Sequence, residues 1–470
     1  MHAATTEDYA VTLSRFATQL SLESLPPEAV LAAKANVFDT LACAAAGSSA
    51  AGISELHGLA TQWGGAPQAS ILVFGDKVPA HQAAWVNGAM AHARDYDDTH
   101  DAAVLHAGVS VVPAALAAAE LAGGVSGADF LAGVAAGLET ICRIGVATQI
   151  GIIESGYMYT SLFGHFGATI AAGRVLGLNE TQMINALGIG YSQVAGNHQV
   201  TRDAALTKRM QPGFAAMAAL ISVQMARVGI RGAQRTFEGE DGFLRVYLHD
   251  RCDRAVLREG LGERFEFTQL SYKPFPCCRF NHPAISVALK LRETIGQRID
   301  RIRAIRVGLN HQAYQAVCTP VEVRKAPKTI VQAQFSIPYT IATALIDGRV
   351  GMDHFADASL VREDLLALAG KVEASVDGEI ERQAGRNISP VQVEIEMDDG
   401  TIHRERVDVP LGHPDAPMSE DDFNNKASDC MRASIRPLGA DAVARLRALT
   451  NQLEKQTDAR ELLKALSPVT

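Results

Sequence analysis

The stretch Asn87–Gly108, NGAMAHARDYDDTHDAAVLHAG, sets four acids, three histidines and a threonine between two Ala-rich flanks. His92, Asp95, Tyr96, Asp97, Asp98, Thr99, His100, Asp101 and His106 fall within fifteen residues, while Ala83–Met90 and Val109–Leu121 read as buried helix. Charged groups beside core either face solvent or line a cleft. With little room to spread, these are expected to converge on a pocket suited to acid–base chemistry. Asp97, Asp98, His100, Asp101 and His106 could supply metal ligands, but no HExxH or comparable fixed spacing is present, so no metal is expected.

Three further places set polar groups in apolar context. In NHQVTRDAALTKRMQPG (Asn197–Gly213), Lys208 and Arg209 precede an Ala-rich helix expected to begin near Phe214. Cations ahead of a helix N-terminus oppose its dipole, so an anion between them would relieve the repulsion; a solvated loop is the alternative. In YKPFPCCRFNH (Tyr272–His282), Lys273, Arg279 and His282 stand among prolines and aromatics, as a binding segment or a structural loop. Ile153–His165 carries Tyr157, Tyr159 and a lone His165, which reads as a packed or capping residue. A nucleotide site is not indicated: GIGYSQVAG at Gly188 lacks both GxGxxG spacing and a preceding strand, and no GxxxxGK[ST] occurs.

The elements that position these groups belong to a chain of 470 residues, long enough for two or three domains. A net charge of −9 argues against nucleic acid or an anionic membrane as partner, so an anionic substrate must meet a local basic cluster. No apolar run reaches the roughly 18 residues that span a bilayer, and MHAATTEDYA lacks signal-peptide character, which predicts a cytoplasmic protein. Seven scattered cysteines without a CxxC pair suggest neither a disulfide framework nor a zinc ribbon; only the vicinal Cys277 and Cys278 stand out.

Ala-rich helices with Gly at their ends recur to about residue 230. Pro26-Pro27 opens one of them, and Ser126 with Asp129 and Asn179 with Gln182 read as N-caps. Small residues in Gly164–Leu178 would let helices pack closely. After Phe265 the texture changes. Residues 301–309 alternate mostly at strand spacing, and 391–397 with 401–409 reads as a hairpin turning at Asp399-Gly400. The fold class is therefore mostly α: a large all-helical domain over 1–267 and 406–470, and a smaller α+β domain over 268–405.

NGAMAHARDYDDTH, the Thr207-Lys208 segment leading into an Ala-rich helix, YKPFPCCRFNHPAI and GHPDAPMSEDDF, with the early FDTLACAAAG, together resemble the MmgE/PrpD family of dehydratases, decarboxylases and epimerases of small carboxylic acids. The resemblance spans nearly the whole chain. It implies a cofactor-free enzyme, a homodimer, and an active site between the two domains. Asp95 and Thr99 match the family's DxxxT positions, His106 the histidine shortly after, Lys208 the TK lysine, Lys273 the K-x-[FY]-P lysine, His282 its later histidine, and Tyr314 a family tyrosine. Three departures bear on the substrate. Gly156-Tyr157-Met158-Tyr159 lacks a histidine that several members carry, Arg209 stands where proline is frequent, and Cys278 stands where the family's decarboxylase has histidine.

The resemblance implies a lyase, dehydratase or decarboxylase, acting on a small di- or tricarboxylate by taking a proton or carboxylate from carbon next to a carboxylate. His106 would be the acid, Lys208 or Lys273 the base or carboxylate clamp, and Asp95 the group that orients its neighbours. Thr99, Arg279, His282, Tyr159, Tyr314 and Arg209 would bind substrate. A lysine crowded by other cations could act as base near neutral pH. The alternatives are an epimerase of a dicarboxylate and a catalytically silent small-acid-binding homologue.

Overall fold

The computed structural model describes residues 7–384, 388 and 390–467. They divide into two compact units. The first comprises residues up to His198, Leu206–Leu270 and the chain from Glu420 onward; the second comprises Gln199–Ala205 and Ser271–Ser419.

The first unit is a pack of helices: α1 (Pro27–Gly47), α2 (Ala80–His92), α3 (Gly108–Leu121), α4 (Gly127–Ala147), α5 (Tyr159–Val175), α6 (Thr207–Arg227) and α7 (Glu420–Arg432). Pro27 sits in the first turn of α1, where its missing N–H costs nothing, and Ser126 caps α4 by accepting from the Asp129 amide. α3 is apolar all round and buried from Gly108 to Glu120, as a helix must be that passes through a core. Its one acid, Glu120, accepts from the Ser70 amide and hydroxyl at 2.7 and 2.8 Å.

Small residues set the helix spacing. A Cβ on Gly88 would lie 2.9 Å from the Gly213 Cα, and one on Gly213 would lie 2.2 Å from the Trp85 carbonyl oxygen. Only glycine at both positions allows α2 and α6 to cross this closely, and that crossing brings the end of α2 beside the start of α6.

α1 and α4 are 21 residues long and apolar enough to span a membrane by length and composition, although charged residues interrupt both. Both are largely buried within the unit, and α4 carries an internal Arg143–Glu139 pair at 2.7 Å whose guanidinium also donates to backbone carbonyls of residues 256–264. One expectation is corrected in this unit: the Ala-rich helix begins at Thr207 rather than near Phe214, so Lys208 and Arg209 occupy its first turn. Pro212-Gly213 has the look of a boundary, but the helix runs through the proline, and Gly213 lies against α2.

The second unit has a four-stranded sheet made of β1 (Ile302–Leu309), β2 (Val372–Val376), β3 (Val391–Met397) and β4 (Ile402–Val407), in the order β2-β1-β3-β4. β1 pairs parallel to β2 and antiparallel to β3. The β3–β4 turn closes at Gly400, with φ 84°. Helices α8 (His282–Ile295), α9 (His311–Val317) and α10 (Ile337–Asp347) complete the unit, with α8 against β3, β4 and α10.

Candidate active site

The polar stretch 92–106 caps the junction of α2 and α3, and three of its acids, Asp95, Asp97 and Asp98, have different tasks. Asp98 closes the N-terminus of α3: its carboxylate accepts from the amides of Ala107 at 2.8 Å and Gly108 at 3.0 Å, the usual way a helix start satisfies its orphan donors. A Cβ on Gly108 would lie 2.7 Å from that carboxylate and 2.3 Å from the Thr40 hydroxyl, so glycine is required there. Burial and the neighbouring Asp97 push the Asp98 carboxyl up to about 6.

Asp97 is fully buried and stands between two imidazoles, with Oδ2 2.8 Å from His92 Nδ1 and 3.1 Å from His106 Nδ1. Burial alone would raise its carboxyl, but the two histidines outweigh burial and hold it well below the usual carboxylate range. Burial lowers His92 to about 4 against the pull of Asp97, so its ring is neutral and donates Nδ1–H. His106 Nδ1 also lies 2.6 Å from the Asp98 carbonyl, an acceptor only, so Nδ1 carries the proton. The Thr99 hydroxyl is 3.3 Å from the same nitrogen, and the His106 amide donates to Thr160 Oγ1 at 3.1 Å, which ties the histidine to α5. Every one of these ring contacts is made through Nδ1. His106 is 14% exposed and carries Nε2 as its second proton-handling atom.

His92, Asp97 and His106 are grouped closely enough to consider as a metal site. Through the Nδ1 atoms the donor set does not fit one. A nitrogen that donates to a carbonyl has no lone pair for a cation, and both histidines turn Nδ1 toward the same carboxylate oxygen.

Asp95 follows α2 in the left-handed region, with φ 53°, a conformation that aspartate tolerates better than most residues. Its Oδ2 accepts from Lys208 Nζ at 2.6 Å, and both side chains are buried. The anion expected to relieve the cations at the start of α6 is therefore supplied by the chain itself. This also corrects the picture of Lys208 as crowded by cations, because its nearest charged neighbour is a carboxylate.

Arg209 is buried and donates to the Ala51 carbonyl at 3.2 Å. Burial, then the nearby Arg94, lowers its guanidinium to about 10. Tyr159 donates its hydroxyl to the Ile150 carbonyl at 2.7 Å and stacks on Phe163, bracing the segment before α5.

In the second unit Lys273 is wholly buried. Arg279 donates to the Leu411 carbonyl at 2.8 Å, and its Nη1 lies 3.4 Å from His282 Nδ1. A guanidinium only donates, so His282 Nδ1 accepts and its Nε2–H faces the Cys277 carbonyl at 3.3 Å. Tyr272 donates its amide to the Gly412 carbonyl at 2.9 Å, and Cys278 donates to Gln334. A Cβ on Gly412 (φ 90°) would sit 1.8 Å from the Tyr272 carbonyl oxygen. The segments YKPFPCCRFNH and GHPDAPM are thus laced together by backbone contacts. Tyr314 is half-buried on α9, which packs against residues 279–281.

The first unit therefore joins Asp95 to Lys208 and Thr99 to His106, and the second joins Arg279 to His282. Sequence reasoning missed the roles of His92 and Asp97. It also missed Lys426 of α7, buried 2.6 Å from Asp39, whose ammonium donates to the Tyr96 carbonyl at 2.7 Å and lies 4.6 Å from that ring's centre. Burial disfavours this ammonium, but Asp39 more than compensates and raises its proton affinity above that of an ordinary lysine. The pair anchors the loop that carries Asp95 and Asp97.

The chain is 28% identical to a cis-aconitate decarboxylase of Aspergillus terreus over 97% of its own length and 95% of that protein. It is 26% identical to a cis-aconitate decarboxylase-like protein of Aspergillus oryzae over 97% and 96%. It is 25% identical to the cis-aconitate decarboxylase of Homo sapiens over 96% and 93%. The MmgE/PrpD N-terminal domain matches residues 11–254 and the MmgE/PrpD C-terminal domain residues 275–453, the latter running on into α7 of the first unit. With both domains of one family matched in order along most of its length, the chain belongs to the MmgE/PrpD family.

Proposed function

We propose that the chain is a lyase that removes a carboxylate from a small tricarboxylic acid without a metal or organic cofactor, with cis-aconitate as the first candidate substrate. The observation that carries the reading is the state of His106: its Nδ1 proton is tied to Asp97 and the Asp98 carbonyl, so proton transfer falls to Nε2. The decarboxylase names of the relatives support the same chemistry.

Decarboxylation of an unsaturated tricarboxylate breaks one carbon–carbon bond and leaves an electron pair that delocalises toward a remaining carboxylate. Carbon dioxide departs, and a proton must then reach carbon. Preformed cations lower the cost of that charge far more in a dry cavity than in water. In this reading His106 Nε2 takes a proton from solvent and passes it to carbon, Lys208 and Lys273 hold carboxylates, Asp95 fixes the Lys208 ammonium, and Thr99, Arg279, His282 and Tyr314 complete the binding groups.

The test is to incubate the purified chain with cis-aconitate, citrate, methylcitrate and iminodisuccinate, following carbon dioxide, water loss and solvent deuterium at carbon, with and without chelator. Carbon dioxide release that survives chelation is expected. Deuterium exchange without loss of any group would replace this reading with an epimerase, and water loss alone with a dehydratase. We also infer a homodimer, for which light scattering should give twice the monomer mass.

A further inference from the structure

Asp97 and His92 lie outside the set of residues proposed to touch substrate, yet they are built into the site. Asp97 is wholly buried, and its Oδ2 is shared by the Nδ1 atoms of His92 and His106. The His92–His106 ring centres are 4.8 Å apart. His92 is 1% exposed, and its Nε2 is buried without a hydrogen-bond partner. A buried imidazole with an unsatisfied nitrogen is a cost the fold would shed by placing an apolar residue there, unless the other nitrogen is needed. The other nitrogen is the one that donates to Asp97.

We propose that His92 and Asp97 are positioning residues that act through His106: His92 donates to the Asp97 carboxylate, and Asp97 holds His106 in the Nδ1–H form with Nε2 available to the substrate. The carboxylate also stabilises the charge on His106 when its ring takes a second proton, and the His92 bond moderates that effect by drawing on the same oxygen. No proton passes to Asp97. The charged groups facing the pair are Asp98 on the same loop and Lys208 on α6. The proposal rests on the reading of His106 as the proton donor, but its central geometry can be checked without a substrate.

The arrangement gives the two positions opposite signs. Asp97→Asn removes the negative charge, so the midpoint of the pH profile of kcat/KM moves to lower pH by about one unit and kcat falls about 10- to 100-fold with KM little changed. His92→Phe removes the donor, so Asp97 pulls harder on His106 and the midpoint moves to higher pH. His92→Asn, which can place an N–H near the old Nδ1, restores the wild-type profile.

In parallel, nitrogen-15 histidine spectra of the wild-type chain should show both His92 and His106 in the Nδ1–H form at neutral pH. That measurement stands even if no acid is turned over or a variant fails to fold. Midpoints that move the same way in both variants, or do not move, would overturn the proposal. So would a His106 signal with a bare Nδ1. Absence of turnover combined with the expected tautomers would sink the lyase reading and leave the positioning geometry in place.

Discussion

Lys208→Met takes the paired cation from the buried Asp95 carboxylate, and Asp95→Asn takes the paired anion from the buried Lys208 ammonium. At 2.6 Å and an effective dielectric near 20 the pair attracts by about 6 kcal/mol, comparable to the cost of taking both ions out of water. The intact pair therefore adds little net stability. Breaking it is another matter, because both side chains are buried, 6% and 4% exposed, and removing either takes away the opposite charge 2.6 Å from the survivor. Each single variant is expected to lose about 3 to 5 kcal/mol, and the double variant less than the sum by about 2 kcal/mol.

Urea unfolding followed by tryptophan fluorescence isolates the effect, because the chain's two tryptophans, Trp63 and Trp85, stack at 5.5 Å within the first unit. Single losses below about 1 kcal/mol that simply add in the double variant would refute the buried-pair reasoning.

Replacing His106 or Lys273 with Ala should each lower kcat/KM by at least about 100-fold in steady-state assays; a change of only a few-fold for either removes it from the proposed machinery. Lys426→Met should destabilise the first unit by about 3 kcal/mol in the fluorescence assay, because Asp39 loses its buried partner. Gly412→Ala should abolish amide-exchange protection at Tyr272, since the new Cβ collides with the Tyr272 carbonyl and pushes away the residue 412 carbonyl that accepts the Tyr272 N–H. Burial lowers His165 from 6.5 to about 4, so between those values the unfolded chain binds a proton that the folded chain refuses. Stability should therefore fall as pH drops from about 6.5 to 4, by on the order of 3 kcal/mol from this residue, and His165→Gln should make the fall shallower in acid titrations of the fluorescence midpoint.

Much of the fold can be read from local signals. The N-caps at Ser126 and Asn179 and the proline start of α1 stand where expected because each depends on neighbours in sequence. β1 shows where such reading blurs. Ile302 and Ile305 break strict alternation, and a register shift between Ile302 and Ala304 restores both to the buried face. The start of α6 lies earlier than the sequence suggests because the helix continues through Pro212, a residue that usually marks a boundary.

The site follows the same rule. DYDD announces titratable chemistry, but nothing in its spacing tells that Asp95 takes a lysine, Asp97 two histidines and Asp98 a helix terminus. Those partners are supplied by α6, α2 and α3. Lys426 was invisible for the same reason, since its acceptor at Tyr96 is 330 residues away.

The most direct test of the central claim is imidazole rescue of His106→Gly on cis-aconitate. The variant should lose at least about 100-fold in carbon dioxide release, and added imidazole should restore part of it saturably, because the cavity left beside Asp97 accepts a free ring. A His106→Gly variant that decarboxylates as fast as the wild type would contradict the account.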